Sequence, residues 1–539
     1  MNLVKDTWLI FRMRNGSEEK LPLAAICDPA VMDFALPRAD FQGAAYQLAI
    51  GLLQTVFTPE DKYEWHEFYE QAPTQADLQT AFNRVEHAFN LTGDVPLFMQ
   101  DFDSLDSAKS TEISGLLIES PGANTLKLNT DHFIKRGQCD VISPEMAAIA
   151  LFTLQINAPA GGVGHRVGLR GGGPLTSLIQ PQEWDAPLWQ KLWLNVINRD
   201  LWHYPEPDLN SPDVFPWLGK TRTSQKAGTE IYAHNVHELH MYWAMPRRIR
   251  LEVDDKPAIC QLTGQATHQS VSAYRTQNYG NNYSGSWQHP LTPYRWNPKK
   301  PDEEHLSIKG QPGGITYKIW DSLTFSVHKE GQQAAQVVDH FNQLNDYFAD
   351  EQSDTPRLWV FGYDMDNMKA RGWYSTSLPL FSMPIEKKDA IFRRVKTLQT
   401  LSVYALSQCR TQVKSAWFNR PNDTKGDMSF IDAAFYQRTQ AAFFKAVQQI
   451  VSSQHDASSL STEEAKNWLY QLKNTCFDLF DEFVLSENTD PKHLPKKIEA
   501  RQILTKWLMG SKDIKSFMAE HKIETKSPKP KKKKEVING

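Results

Sequence analysis

The sequence contains no uninterrupted apolar run near the roughly 18 residues that a membrane span needs. Its first residues, MNLVKDTWLIFRMRNG, lack the apolar core and cleavage site of a signal peptide. The cytoplasm is the expected location. Cysteine is scarce: Cys27, Cys139, Cys260, Cys409 and Cys476 are scattered through 539 residues without a C-x-x-C pair. That pattern predicts reduced thiols and argues against a disulfide framework or a Cys-rich zinc site. A basic excess is also missing, because 59 Lys and Arg face 63 Asp and Glu for a net charge of -4. Any nucleic-acid contact must therefore be local or shared with partners.

Familiar catalytic and nucleotide signatures are absent too. No G-x-S-x-G elbow occurs, and the carboxylates do not group into a recognisable acid/base or metal cluster. The most glycine-rich stretch, GGVGHRVGLRGGGP at 161–174, has seven glycines in fourteen residues beside His165, Arg166 and Arg170. It ends in Gly173-Pro174 without the Lys-Ser/Thr of a phosphate loop, and a dinucleotide fingerprint counted from Gly162 fails at Val167. Glycine of this density costs ordering entropy, so it serves either tight turns with close packing or the approach of a ligand to bare backbone.

What is present describes an α+β protein of several cores. Alternation around Asn15-Gly16 predicts an N-terminal hairpin. Phe41, Ala44, Ala45, Leu48, Leu52 and Val56 recur at helical spacing behind Asp40 as a possible cap, and Thr74 with Asp77 resembles a capping box. In SPEMAAIALFTLQIN, Ser143 as cap and Pro144 at the first helical position start a helix that delivers the chain into the glycine loop. The loop thus leaves a helix C-terminus, whose dipole does not favour phosphate. Residues 205–330 read as short strands and loops. Helical segments near 384–418, 427–453, 461–487 and 494–519, with a capping box at Ser461 and Glu464 and apolar contacts from Phe430, Ala434, Phe435, Phe443 and Val447, predict a four-helix bundle. The expected organisation is a mixed, irregular domain over 1–380, a bundle over 384–520 and a disordered Lys-rich tail over 521–539, which is either a solvating end or a polyanion tether.

Two stretches carry candidate chemistry. In HNVHELH, His234, His237 and His240 could ligate a metal for hydrolysis, although His237 and His240 are three apart rather than the four of a zincin helix. A structural or surface role is the alternative. Tyr274, Tyr279, Tyr283 and Trp287, interleaved with Arg275 and Arg295, could stack on nucleic acid or form the interior of a small β region.

Several segments, in order, carry a likeness. NLVKDTWLIFR, PLFMQ at 96–100, AAIALF at 147–152, NAPAGGVGHRVGLRGGGPLT at 157–176, LWLNVI at 192–197, YWAMPRRIRLEV at 242–253, SGSWQHPLTPY at 284–294 and FGYDMDNMKA at 361–370 resemble the large-subunit (CasA) family of the type I-E CRISPR Cascade complex. The resemblance implies a non-catalytic, cofactor-free subunit that sits near the 5′ handle of a guide RNA beside other Cascade subunits. It implies reading of a protospacer-adjacent motif (PAM) in duplex DNA, initiation of strand separation, and a platform for a helicase-nuclease or for a nuclease fused to another subunit. A purely structural subunit is a further alternative.

The same resemblance assigns positions. Gly161, Gly162, Val163 and Gly164 fall on the family's minor-groove loop, with Val163 where the family has a contacting glycine. Asn278 falls on the position of a groove-reaching lysine, with Arg275 as a compensating charge. Asp366 and Asn367 fall on a wedge hairpin, and Asn124 and Lys127 on a guide-handle contact. The family's optional Cys-rich zinc site would retain Cys260 alone, so no metal is expected. Arg393, Arg394 and Lys396 on the bundle could hold the displaced strand through phosphate contacts, or form a solvated face.

Overall fold

The fold was analysed in a computed structural model. It describes every residue except 130, 132–135, 163, 203, 301, 345–355, 367, 384, 424–425, 454–459, 487–491 and 525–539. The chain divides into two compact units, Met1–Ile315 with Ser322–Ser382, and Thr316–Asp321 with the described residues from Met383 onward. Among the described residues no helix is long and apolar enough to cross a membrane.

The first unit begins with a three-stranded antiparallel sheet in which Thr7–Met13 lies between Glu18–Pro22 and Val31–Phe34. Its hairpin turns at Asn15-Gly16, where Gly16 takes φ +85° and the Asn15 side chain accepts the Ser17 N–H at 2.8 Å. Only a residue without Cβ adopts that φ without strain. The helix Ala39–Val56 follows and is buried along nearly its whole length. Asp40 does not cap it. The cap position is Arg38, which makes no side-chain cap bond, and the Asp40 carboxylate instead takes the Arg38 guanidinium at 3.0 Å and the Tyr363 hydroxyl at 2.5 Å. A partner distant in sequence thus outcompetes the local cap.

Helix Pro144–Asn157 starts as the sequence predicts, with the Ser143 hydroxyl accepting the Met146 N–H. It packs against Ala39–Val56. A long hairpin, Arg357–Asp366 with Lys369–Pro379, closes at Asp366 opposite Lys369, and its first strand pairs on the other side with the fully buried strand Thr176–Gln180. A third sheet places Ser270–Gln277 between Ser110–Glu112 and Arg248–Asp254. Phe89, Phe98, Phe152, Phe215, Trp217 and Trp243 form one continuous ring cluster in the interior. Rings of this size bury the most apolar area per side chain fixed.

The second unit is helical: Lys388–Trp417, Ser429–Ser452, Thr462–Phe480, Leu494–Leu508 and Lys512–Glu520. The fourth expected segment breaks after Met509, because Gly510 weakens the helix and Ser511 caps a new one by accepting the Ile514 N–H at 3.0 Å. Phe430 is 43% exposed, so the buried stripe runs instead through Ile431, Phe435, Phe443, Val447 and Ile450. Six residues from mid-sequence, Thr316–Asp321, complete this core: Tyr317 stacks on Phe443 with ring centroids 4.2 Å apart and meets the Thr439 hydroxyl at 2.8 Å.

One close approach in the first unit is testable. A Cβ built on Gly43 lies 2.6 Å from the buried Phe361 ring, itself wedged between Trp359 and Trp373. Gly43→Ala is expected to destabilise the unit by about 1–3 kcal/mol. Urea unfolding checks this, and adding Phe361→Leu should recover part of the loss.

Candidate nucleic-acid interface

The glycine stretch behaves as two different pieces. In the first, Gly162 and Gly164 take φ of +84° and +75°, and the Gly161 and His165 N–H groups close a small turn on the His165 and Gly162 carbonyls. A Cβ on Gly162 would meet nothing within 4 Å, so this backbone faces open space. The Gly164 carbonyl accepts the Tyr279 N–H at 2.6 Å, and a Cβ there would lie 2.7 Å from the Asn278 Cβ. Asn278 is exposed, and Tyr279 holds an unusual φ of +65° to make that approach. The structure therefore brings Gly161, Gly162, Gly164 and Asn278 together. Val163 lies outside the described residues.

The second piece is packed. A Cβ on Gly172 would meet Pro159 at 2.9 Å, and one on Gly173 would meet Met365 at 2.6 Å and the Tyr363 carbonyl at 2.8 Å. These glycines serve chain packing beside the long hairpin, one residue short of Asp366.

The arginines near the loop are structural. Arg170 is buried and donates to Gln47, Ile156, Thr176 and Thr292, and burial lowers its pKa to about 10. Arg247, also held down to about 10 by burial, donates to the Pro159 carbonyl and lies against Gly161. Its backbone is clasped by Gln155, which donates to the Arg247 carbonyl and accepts its N–H, both at 3.0 Å. Arg166 donates twice to Ser224 at 2.7 Å. Arg275, expected as a compensating charge, is turned along its sheet to Glu252 at 2.7 Å and to the Asp106 carbonyl at 2.7 Å. A neighbouring-strand carboxylate holds it more cheaply than open solvent would.

At the hairpin tip Asp366 is exposed, with the Arg371 guanidinium 3.8 Å away. Arg371 also pairs at 2.6 Å with the buried Asp364, so the tip's acidic charge is partly offset. Met368 and Lys369 complete the exposed turn, while Asn367 lies outside the described residues. Asn124 and Lys127 belong to a one-turn helix, Ala123–Lys127, on which Lys127 is exposed. In the helical unit, Arg394 pairs with Glu520 and Lys396 with the buried Asp321 at 2.8 Å, leaving Arg393 exposed. Two of these three cations are engaged within their own unit.

The histidine stretch does not assemble a metal site. Buried His240 meets the Asp213 carbonyl through Nδ1 at 3.1 Å and the Tyr283 hydroxyl through Nε2 at 2.9 Å. His237 meets the Pro205 carbonyl through Nε2 and accepts the Leu239 N–H at Nδ1, and the His234 ring stacks on Tyr232. With the nitrogens of His237 and His240 taken, His234 alone of the three could still ligate a metal, which is too few for the hydrolase alternative. Among the described residues no group of three or more His, Cys, Asp and Glu could hold a metal, and Cys260 is buried. Tyr274, Tyr283 and Trp287 are likewise interior, which decides the aromatic stretch in favour of a packed β region.

Sequence reasoning missed Arg247 and Ser224, which help build the loop, and read Tyr279 as a stacking or interior ring rather than as the backbone donor to Gly164. Its one available signal was the acid-free stretch GKTRTSQKAG at 219–228, around Ser224.

The buried His240 has a pH consequence. Burial, followed by smaller effects of Asp213, Arg222 and His237, sets its folded-state pKa to about 4, against 6.5 when free. The group binds its proton more readily unfolded, so its contribution is full above pH 6.5 and is lost as pH falls toward 4. The loss amounts to about 3 kcal/mol across that window. Urea unfolding at pH 7.5 and 4.5, compared between the parent and His240→Gln, should show a shallower acid decline in the variant.

A family model described as CRISPR-associated protein Cse1 matches residues 2–479. Solved structures share the fold at low identity. A CRISPR-associated protein from Thermus thermophilus superposes with a TM-score of 0.66 at 16% identity, covering 94% of this chain and 99% of that one. Thermobifida fusca Cse1 gives 0.62 at 17% identity, with 96% and 98% covered. A chain of a CRISPR RNA-guided surveillance complex gives 0.63 at 14% identity, with 94% and 99% covered.

Proposed function

We propose a function from one premise: the chain belongs to the CRISPR-associated Cse1 family. It is a non-catalytic cytoplasmic subunit of an RNA-guided surveillance complex, which recognises the PAM in duplex DNA, begins target unwinding and supports recruitment of the nuclease machinery. Its partners are the other subunits, the guide-RNA handle near Asn124 and Lys127, the duplex, and a displaced strand, for which Arg393 is the one of the three candidate bundle cations without an ion pair among the described residues.

The observation that carries this reading is the juxtaposition of open backbone at Gly162 with the exposed amide of Asn278, fixed by the Gly164–Tyr279 hydrogen bond. A minor groove is only about 6 Å wide, so backbone without side chains reaches its floor where bulkier residues cannot. The groove floor offers acceptors to any base pair, and the Asn278 amide donates to them without charge. The long hairpin acts as the wedge. Asp366 is shielded by Arg371, which lowers its repulsion by phosphate, and the turn inserts sterically between strands.

The test is target binding by the assembled complex against duplexes carrying a library of flanking sequences. Affinity should depend on the flank, and indifference to it would remove the recognition role. Gly162→Val should weaken duplex binding at least about tenfold, about 1.4 kcal/mol, while leaving assembly on guide RNA and binding of a single-stranded target intact. Equal losses on both targets would assign the loop to folding instead.

A further inference from the structure

The arginines packed around the glycine loop are engaged inside the protein, so a duplex seated there needs phosphate neutralisation from elsewhere. The acid-free loop 219–228, GKTRTSQKAG, is built against that site. Ser224 is buried at its centre. It receives both bonds from Arg166 of the glycine stretch, donates its hydroxyl to the Gly280 carbonyl at 2.7 Å, and donates its N–H to the Tyr279 carbonyl at 3.1 Å. A second pin is Thr221, whose hydroxyl donates to Asp101 at 3.0 Å, where that carboxylate already holds Arg248.

Between and beside these pins stand Lys220, Arg222 and Lys226, all exposed, and none forms an ion pair among the described residues. Arg222 and Lys226 are each two residues from Ser224, hence within about 7 Å along the chain of a residue bonded to both recognition segments. Three uncompensated cations on a twice-pinned loop have lost much of the backbone entropy that binding would otherwise cost.

We propose that Lys220, Arg222 and Lys226 form a phosphate clamp for the backbone of the DNA duplex that the glycine loop and Asn278 engage. The clamp rests on the PAM-reading proposal for its location, but it acts on the backbone and carries no sequence information. Duplex DNA is favoured over guide RNA because Ser224 joins the loop to the two segments assigned to the duplex.

The experiment uses the full complex and a triple variant, Lys220→Gln, Arg222→Gln and Lys226→Gln, with duplex affinity measured over a range of salt concentrations. The slope of log affinity against log salt should fall in magnitude by about 2 to 3, close to 0.9 for each phosphate no longer neutralised. The ratio of affinities between preferred and disfavoured flanks should not change. A charge-conserving variant, Lys220→Arg, Arg222→Lys and Lys226→Arg, should keep the parental slope. An unchanged slope in the glutamine variant would overturn the clamp, as would a drop in guide-RNA occupancy, which would assign these cations to RNA. If the parent shows no flank preference while the glutamine variant still lowers the slope, the PAM reading fails and the clamp stands.

Discussion

The buried guanidinium of Arg170 is the tie on which the first unit's architecture depends. It donates to Gln47 of helix Ala39–Val56, to the Ile156 carbonyl near the end of helix Pro144–Asn157, to Thr176 of the buried strand and to Thr292. Two helices, a strand and a distant loop are thereby indexed to one planar cation with a fixed set of donors. The glycine loop leaves one of those helices and returns to that strand, so its ends are fixed while the backbone at Gly162 stays open. Among the described residues no carboxylate accepts from Arg170, and its partners there are neutral oxygens. Loss of any one of them would leave a buried donor unsatisfied, which is costlier than the bond itself is favourable.

The same economy runs through the surrounding charge. Arg166, Arg247, Arg248 and Arg275 hold loops and strands in place, and their positive charge is compensated locally by carbonyls and carboxylates. A protein with net charge -4 can keep open, uncharged backbone at Gly162 and set the exposed cations Lys220, Arg222 and Lys226 on a separate loop. Shape and electrostatic attraction are then carried by different residues, so each can vary without disturbing the other.

Much of this was legible in the sequence where the cause was local. The Asn15-Gly16 turn and the Ser143 cap with Pro144 behind it depend on residues within a few positions and occur as read. Of the Ser461 capping box the Ser461 half forms, while the Ser461 N–H goes to Gln449. The departures share the opposite cause. Asp40 is claimed by Tyr363 and Arg275 by Glu252, partners that proximity in sequence does not indicate. Phe430 has helical spacing but lies on the solvent side of the stripe, because period fixes a face only once its neighbours are placed. Tyr317 and Trp320 read as part of the irregular middle, yet their rings fill the bundle. Asn278 was placed by resemblance alone; its contact with Gly164 depends on a positive φ at Tyr279, which residue type does not announce.

The long hairpin is a cantilever. Its root, Arg357–Phe361, is clamped between two strands; beyond it Lys369–Pro379 continues alongside, Tyr363 donates to Asp40 and Asp364 bridges to Gly310, so the exposed turn begins at Asp366. Bending stiffness therefore drops past Asp364, and a sideways force on the turn has its fulcrum there. Just behind that point the Phe361 ring bears on Gly43 in the second turn of a buried helix. A load on the tip is thus passed into the buried helix Ala39–Val56 and, through Gly173, into the packed second half of the glycine stretch.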